Sequence, residues 1–127
     1  MKALPYLGFD GRCAEAFRFY QRTFGGDLEI MTHGDSPIAD EVPGEAHDRV
    51  LHARLTADEM VLMGSDAPPD WHGTPEGLSV SLQLSDVAEA ERIFTTLAED
   101  GAVEMPLGKT FWAERFGMVT DRFGIPW

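Results

Sequence analysis

Cysteine is nearly missing from this 127-residue chain: Cys13 is the single one. One thiol closes no intrachain disulfide and builds no Cys-rich zinc centre, so the fold has to stand on its core. Long apolar runs are missing as well. No stretch approaches the roughly 18 apolar residues that span a bilayer. The N-terminal MKALPYLGFDG carries a lysine but neither a long apolar segment nor a small-residue cleavage site, so no signal peptide is expected. Basic residues are scarce, with 10 Lys and Arg against 22 Asp and Glu, a net charge of −12. That field repels phosphate backbones and anionic membranes, so neither nucleic acid nor a membrane is expected as a partner. There is no G-x-S-x-G elbow, no Walker loop, no G-x-G-x-x-G and no H-x-x-x-H pair. A cytoplasmic protein is the default expectation.

What is present is an ordinary globular composition, 43% apolar and 25% charged. The length suits one domain with a real core. Cys13, Ala16, Phe17, Tyr20 and Phe24 recur at three- and four-residue steps, which predicts a helix from about Arg12 to Phe24, ended by Gly25-Gly26. Val87, Ala90, Phe94 and Leu97 predict a second helix, with Ser85 or Asp86 as N-cap and Gly101 after its end. Strands are expected at Leu4–Phe9, Leu28–Thr32, Val50–Leu55, Met60–Met63, Leu78–Leu84, Val103–Leu107, Ala113–Thr120 and Ile125–Trp127. Leu78–Leu84 alternates apolar and polar residues most regularly of these. Two loops, His33–His47 and Asp66–Gly77, are rich in Gly, Pro and acidic residues.

An internal repeat organises these elements. Ala14-Glu15-Ala16 with Tyr20 and Ala88-Glu89-Ala90 with Phe94 stand at one constant offset. After each helix a glycine precedes an apolar–Glu pair, Gly26 with Leu28-Glu29 and Gly101 with Val103-Glu104, at an offset one residue longer. The order is strand, helix, three strands, twice over. The expected fold class is therefore α+β, two tandem βαβββ modules, about 1–66 and 77–127, in a cupped, mostly antiparallel mixed sheet within a single domain. Clefts between such modules are favoured ligand sites.

The residues then support a family resemblance. Pro5-Tyr6-Leu7-Gly8-Phe9, Cys13-Ala14-Glu15-Ala16, Phe24-Gly25-Gly26, His52-Ala53-Arg54-Leu55 and Leu62-Met63-Gly64-Ser65-Asp66 lie in the first half. Thr110-Phe111-Trp112, Arg115-Phe116-Gly117, Val119-Thr120-Asp121-Arg122-Phe123-Gly124 and Pro126-Trp127 lie in the second. Across nearly its whole length the chain resembles the PhnB-like branch of the vicinal-oxygen-chelate superfamily (glyoxalase, bleomycin-resistance protein, extradiol dioxygenase). The resemblance implies a homodimer and a cavity for a small-molecule ligand. Relatives run a few residues past the final Trp-like position, so the last strand is expected to be trimmed. Enzymes of the superfamily hold a divalent metal with His, Gln or Glu from four strands, and the metal acts as a Lewis acid.

The corresponding positions here are Tyr6 or Leu7, Met63 or Ser65, Ser79, and a position at or beyond Trp127. The first three offer no imidazole, carboxylate or thiolate, so no metal of the superfamily type and no cofactor are expected. The expected ligand site comprises Tyr6, His52, Ser65, Ser79, Trp112, Phe116 and Trp127. His52 is either a general acid or base or a hydrogen-bonded structural histidine. The aromatics near the C-terminus, Phe123 among them, are either pocket or core. His33, His47 and His72 are expected to face solvent. Trp71 is expected over the cavity mouth or against a second subunit, and Asp66 and Asp121 in turns.

The leading functional expectation is a ligand-binding protein that uses no metal. The alternatives are a metal-dependent lyase, isomerase or dioxygenase, and a drug-sequestering protein without turnover. PhnB-like relatives sometimes carry a ubiquinone methyltransferase label. No strand–glycine-loop–helix element is present here to cradle S-adenosylmethionine, so that activity is not expected.

Overall fold

A computed structural model describes residues 1–127. Two compact units divide it, Met1–Gly73 and Thr74–Trp127. The first unit contains β1 (Tyr6–Phe9), α1 (Cys13–Phe24), β2 (Asp27–Thr32), β3 (Val50–Ala57) and β4 (Met60–Asp66). Its sheet runs β1-β4-β3-β2, with β1 parallel to β4 and the other pairs antiparallel. The apolar stripe of α1 buries Cys13, Ala16, Phe17 and Tyr20 against one sheet face. Leu7, Phe9, Ala53, Leu55 and Leu62 form that face. A side chain at Gly64 would strike the Phe17 ring, so helix and sheet close to contact there. Asp58, with φ of 52°, makes the β3–β4 hairpin turn.

The second unit contains α2 (Val87–Ala98), β5 (Ala102–Gly108) and β6 (Phe116–Thr120). Asp86 caps α2 by accepting a bond from the Ala88 amide. Ile93 and Leu97 are the buried residues of its stripe. β5 and β6 pair antiparallel, and the chain then turns through Asp121–Gly124. The folded protein is thus α+β, with two helices and sheets of four and two strands.

Two glycines hold matching places in the two units. A Cβ at Gly26 would overlap the Thr56 carbonyl oxygen and Ala57, and one at Gly101 would overlap the Thr120 carbonyl oxygen and Asp121. Each glycine follows its helix, opens the next strand and lies against the end of that strand's partner.

One strong expectation fails. Leu78–Leu84 is extended chain but not a strand. In the first unit the equivalent β1 finds a seven-residue partner, β4. Here the partner would be Ile125–Trp127. Trp127 spends both backbone groups on Val119, and Pro126 has no N–H to give. The Pro126 carbonyl takes a bond from the Val80 amide, so one contact stands where a ladder was expected. Leu78 and Leu84 are consequently exposed.

Two aspartates carry buried tertiary bonds. Asp66, at the end of β4, accepts from the Gly11 and Cys13 amides through Oδ1 and from the Val50 amide through Oδ2, at 2.8, 3.0 and 2.9 Å. Arg12, the residue before α1, supplies no side-chain cap, so Asp66 caps that helix from another element. This corrects its expected role in a turn. Asp121 does serve its turn, accepting from the Phe123 and Ile125 amides, and also holds the Trp127 indole N–H at 2.8 Å.

Candidate functional site

Strand alternation leaves one face of the first unit's sheet turned away from α1. Tyr6, Met63, Arg54 and Glu29 form one cross-strand row on it, because Tyr6 pairs with Met63, Met63 with Arg54, and Arg54 with Glu29. Gly8, Ser65, His52 and Met31 form the next, from the pairs Gly8–Ser65 and Met31–His52 and one further step of the β3–β4 register. The Tyr6 and His52 rings lie 6.0 Å apart. Three of the expected ligand residues, Tyr6, His52 and Ser65, are therefore neighbours on one open sheet face.

The other four lie in the second unit, where Ser79, Trp112, Phe116 and Trp127 line a cavity of about 650 Å³. The cavity lies among the extended Ser79–Ser85 segment, α2, and the β5–β6 pair with its connecting loop. Trp112 stacks edge-on against Phe116 at 5.4 Å and against Phe111 at 4.7 Å. Trp112 is 58% exposed, so its ring is available at the cavity wall rather than consumed by packing. Trp127 is buried and anchored by Asp121. Phe123 does not line the cavity.

The remaining candidates separate cleanly. His47 Nε2 lies 2.9 and 3.2 Å from the Ala39 and Val42 carbonyls, pinning the long loop instead of facing solvent as expected. His33 Nδ1 is buried without a partner, again not a solvent-facing ring. His72 is exposed, as is Trp71 at 83%. Cys13 is fully buried. Burial first, and the Asp66 carboxylate second, push its thiol up to about 12. It stays a neutral thiol near pH 7 and is no nucleophile.

The metal that the family resemblance implies would need imidazole, carboxylate or thiolate donors gathered in one place. No group of three or more His, Cys, Asp or Glu stands close enough together to hold an ion. Of the expected ligand positions, Tyr6, Met63 and Ser65 share the open sheet face and Ser79 and Trp127 line the cavity. Their phenol, thioether, hydroxyls and indole do not fit a divalent metal.

Arg54, which is not among the expected ligand residues, shares the open sheet face with Tyr6 and His52. The signal was there in His52-x-Arg54, since residues two apart on a strand share a face.

Comparison with known proteins now gives this architecture its family. The fold is shared with solved structures at high similarity. One is protein PA1353 from Pseudomonas aeruginosa, 48% identical, covering 100% of this chain and 94% of that one at a TM-score of 0.89. Another is a putative 3-demethylubiquinone-9 3-methyltransferase, PhnB protein, from Bacillus cereus, 30% identical over 100% and 96% of the two chains with a TM-score of 0.76. Protein YjdN of Escherichia coli K12 is 35% identical over 100% of this chain and 92% of its own length. The family model described as 3-demethylubiquinone-9 3-methyltransferase matches residues 1–127. The chain belongs to this PhnB-like family.

Proposed function

We propose that this PhnB-like protein is a glyoxalase/bleomycin-resistance-type binder of a small organic ligand, working in the cytoplasm as a homodimer and without the superfamily's metal. The aromatic cavity of the second unit carries this reading. Its volume of about 650 Å³ suits a metabolite-sized molecule. Trp112 and Phe116 supply flat apolar wall, and Ser79 and Ser81 supply polar atoms for orientation. Dimerisation is supported by apolar side chains left exposed in the same unit, Leu78, Val103, Met105 and Met118 among them. Light scattering is expected to give twice the monomer mass, and a monomer throughout removes that part of the proposal.

Titration with 8-anilinonaphthalene-1-sulfonate, a fluorescent aromatic probe, tests the cavity. Saturable binding is expected, and Trp112→Ala weakens it about tenfold by removing a stacking wall. The half-exposed position leaves the unfolding midpoint little changed. Equal binding by wild type and variant would count against the cavity.

Metal-dependent lyase, isomerase or dioxygenase chemistry is the competing reading. Thermal shifts with Mn²⁺, Ni²⁺, Zn²⁺ and Fe²⁺ separate the two, since a ligand that binds only the native state raises its apparent stability. A stoichiometric metal that stabilises the fold puts the enzyme reading first. Methyl transfer, which the family description names, lacks support in the residues of this chain. No glycine-rich strand-to-helix loop is present, and both helix N-termini are already filled by carboxylates of the chain itself, Asp66 and Asp86. Calorimetric binding of S-adenosylmethionine would reverse that judgement.

A further inference from the structure

Several polar side chains elsewhere in the first unit have found partners. Asp66, His47, Ser36 and Thr32 are hydrogen-bonded, and Arg49 bridges Asp10 and the Ala67 carbonyl. On the open sheet face a group of neighbouring side chains has not found partners. Neither the Tyr6 hydroxyl, the His52 ring nitrogens, the Ser65 hydroxyl nor the Arg54 guanidinium makes a hydrogen bond or ion pair within the chain. Arg54, His52 and Ser65 are half-buried, and all four occupy two adjacent rows on three neighbouring strands.

Arg54 is the notable member. In a chain with 22 carboxylates and 10 Lys and Arg, five other arginines are ion-paired. Arg54 faces Glu29 directly across β2 and β3 and still forms no ion pair with it. A guanidinium presents paired N–H groups that match a carboxylate in bidentate fashion. Tyr6, Ser65 and His52 add donors around it, and Met63 and Met31 add apolar surface beside them.

We propose that this sheet face is a binding site for the carboxylate group of a small organic acid, with Arg54 as the bidentate anchor and Tyr6, His52 and Ser65 as surrounding donors. This deepens the small-ligand reading above and rests on it, but it concerns residues that the aromatic cavity does not use. Glu29 opposes the bound anion, which sets a limit on affinity and supplies a second test with the opposite sign.

The experiment is a backbone amide NMR titration of the full chain with benzoate, and with benzamide as its neutral counterpart, at millimolar concentrations. Saturable shifts are expected at Tyr6, His52, Arg54 and Ser65 with benzoate, and at least tenfold weaker binding with benzamide. Arg54→Gln is expected to weaken benzoate tenfold or more, Glu29→Gln to strengthen it severalfold, and Arg18→Gln, on exposed α1 surface, to change nothing. Each variant's amide spectrum reports whether it is folded, and Arg54→Lys, which keeps the charge, is expected to fall between wild type and Arg54→Gln. Benzoate affinity indifferent to Arg54→Gln, equal binding of benzamide, weaker binding in Glu29→Gln, or no saturable shift on these strands each overturns the proposal. These results stand apart from the cavity measurement, which reads the dye and Trp112: loss of dye binding would sink the cavity while benzoate shifts at Arg54 survived.

Discussion

Asp66→Ala is expected to lower the unfolding free energy by about 3 kcal/mol or more, since each buried donor left unpaired costs roughly 1–3 kcal/mol. Three amides lose their acceptor at once, those of Gly11, Cys13 and Val50. The Asp66 side chain reaches across elements, so its loss loosens the α1 N-terminus and the start of β3 together. Against a typical total stability of about 5–15 kcal/mol, that is a large fraction. Asp86→Ala is the control. It removes a cap from α2 too, but an exposed one with a single bond, and the expected cost is about 1 kcal/mol. Urea unfolding of both variants checks the ordering. Similar midpoints would mean that Asp66 is no keystone of the first unit.

Gly26→Ala and Gly101→Ala are the second pair of large effects. At both positions the new methyl group meets a backbone carbonyl, of Thr56 and Thr120 respectively, which cannot rotate away. Overpacking of this kind costs about 1–3 kcal/mol. Gly26 also holds φ of 90°, a conformation an L side chain strains to adopt. Gly26→Ala is therefore expected to lose about 3 kcal/mol and Gly101→Ala about 2 kcal/mol. Gly73→Ala, where nothing lies within 4 Å, is expected to stay within about 0.5 kcal/mol of wild type. If Gly101→Ala proved as harmless as Gly73→Ala, the close approach that marks the second half of the repeat would be disproved.

The candidate site was legible only in pieces. Residues two apart on β3, such as His52 and Arg54, share one side of the strand, but which side meets α1 is decided by packing. Phe17 against Gly64 makes that choice, and it leaves the His52 side open. Trp112 and Phe116 were expected either in a pocket or in a core, and the structure sets them on a cavity wall. Histidine exposure was misread at His47 because its partners are the Ala39 and Val42 carbonyls of the loop, which no short-range pattern reveals, and at His33 because its Nδ1 is buried by the fold with no partner of its own.

By itself the sequence determined what is local or periodic: both helices, the glycine pair that ends α1 and the acidic N-cap of α2. These follow from side-chain spacing and backbone freedom within a few residues of each other. Only tertiary structure decided the rest. Leu78–Leu84 has the alternation of a strand, yet a strand needs a neighbour's unspent backbone groups, and Trp127 and Pro126 have one carbonyl to offer it. Asp66 looked like a turn residue and became the cap of a helix more than fifty positions away, because β1–β4 pairing carries it there. Hydrogen bonds between distant elements depend on which strands lie side by side, and that is settled by burial of the whole core rather than by any one segment.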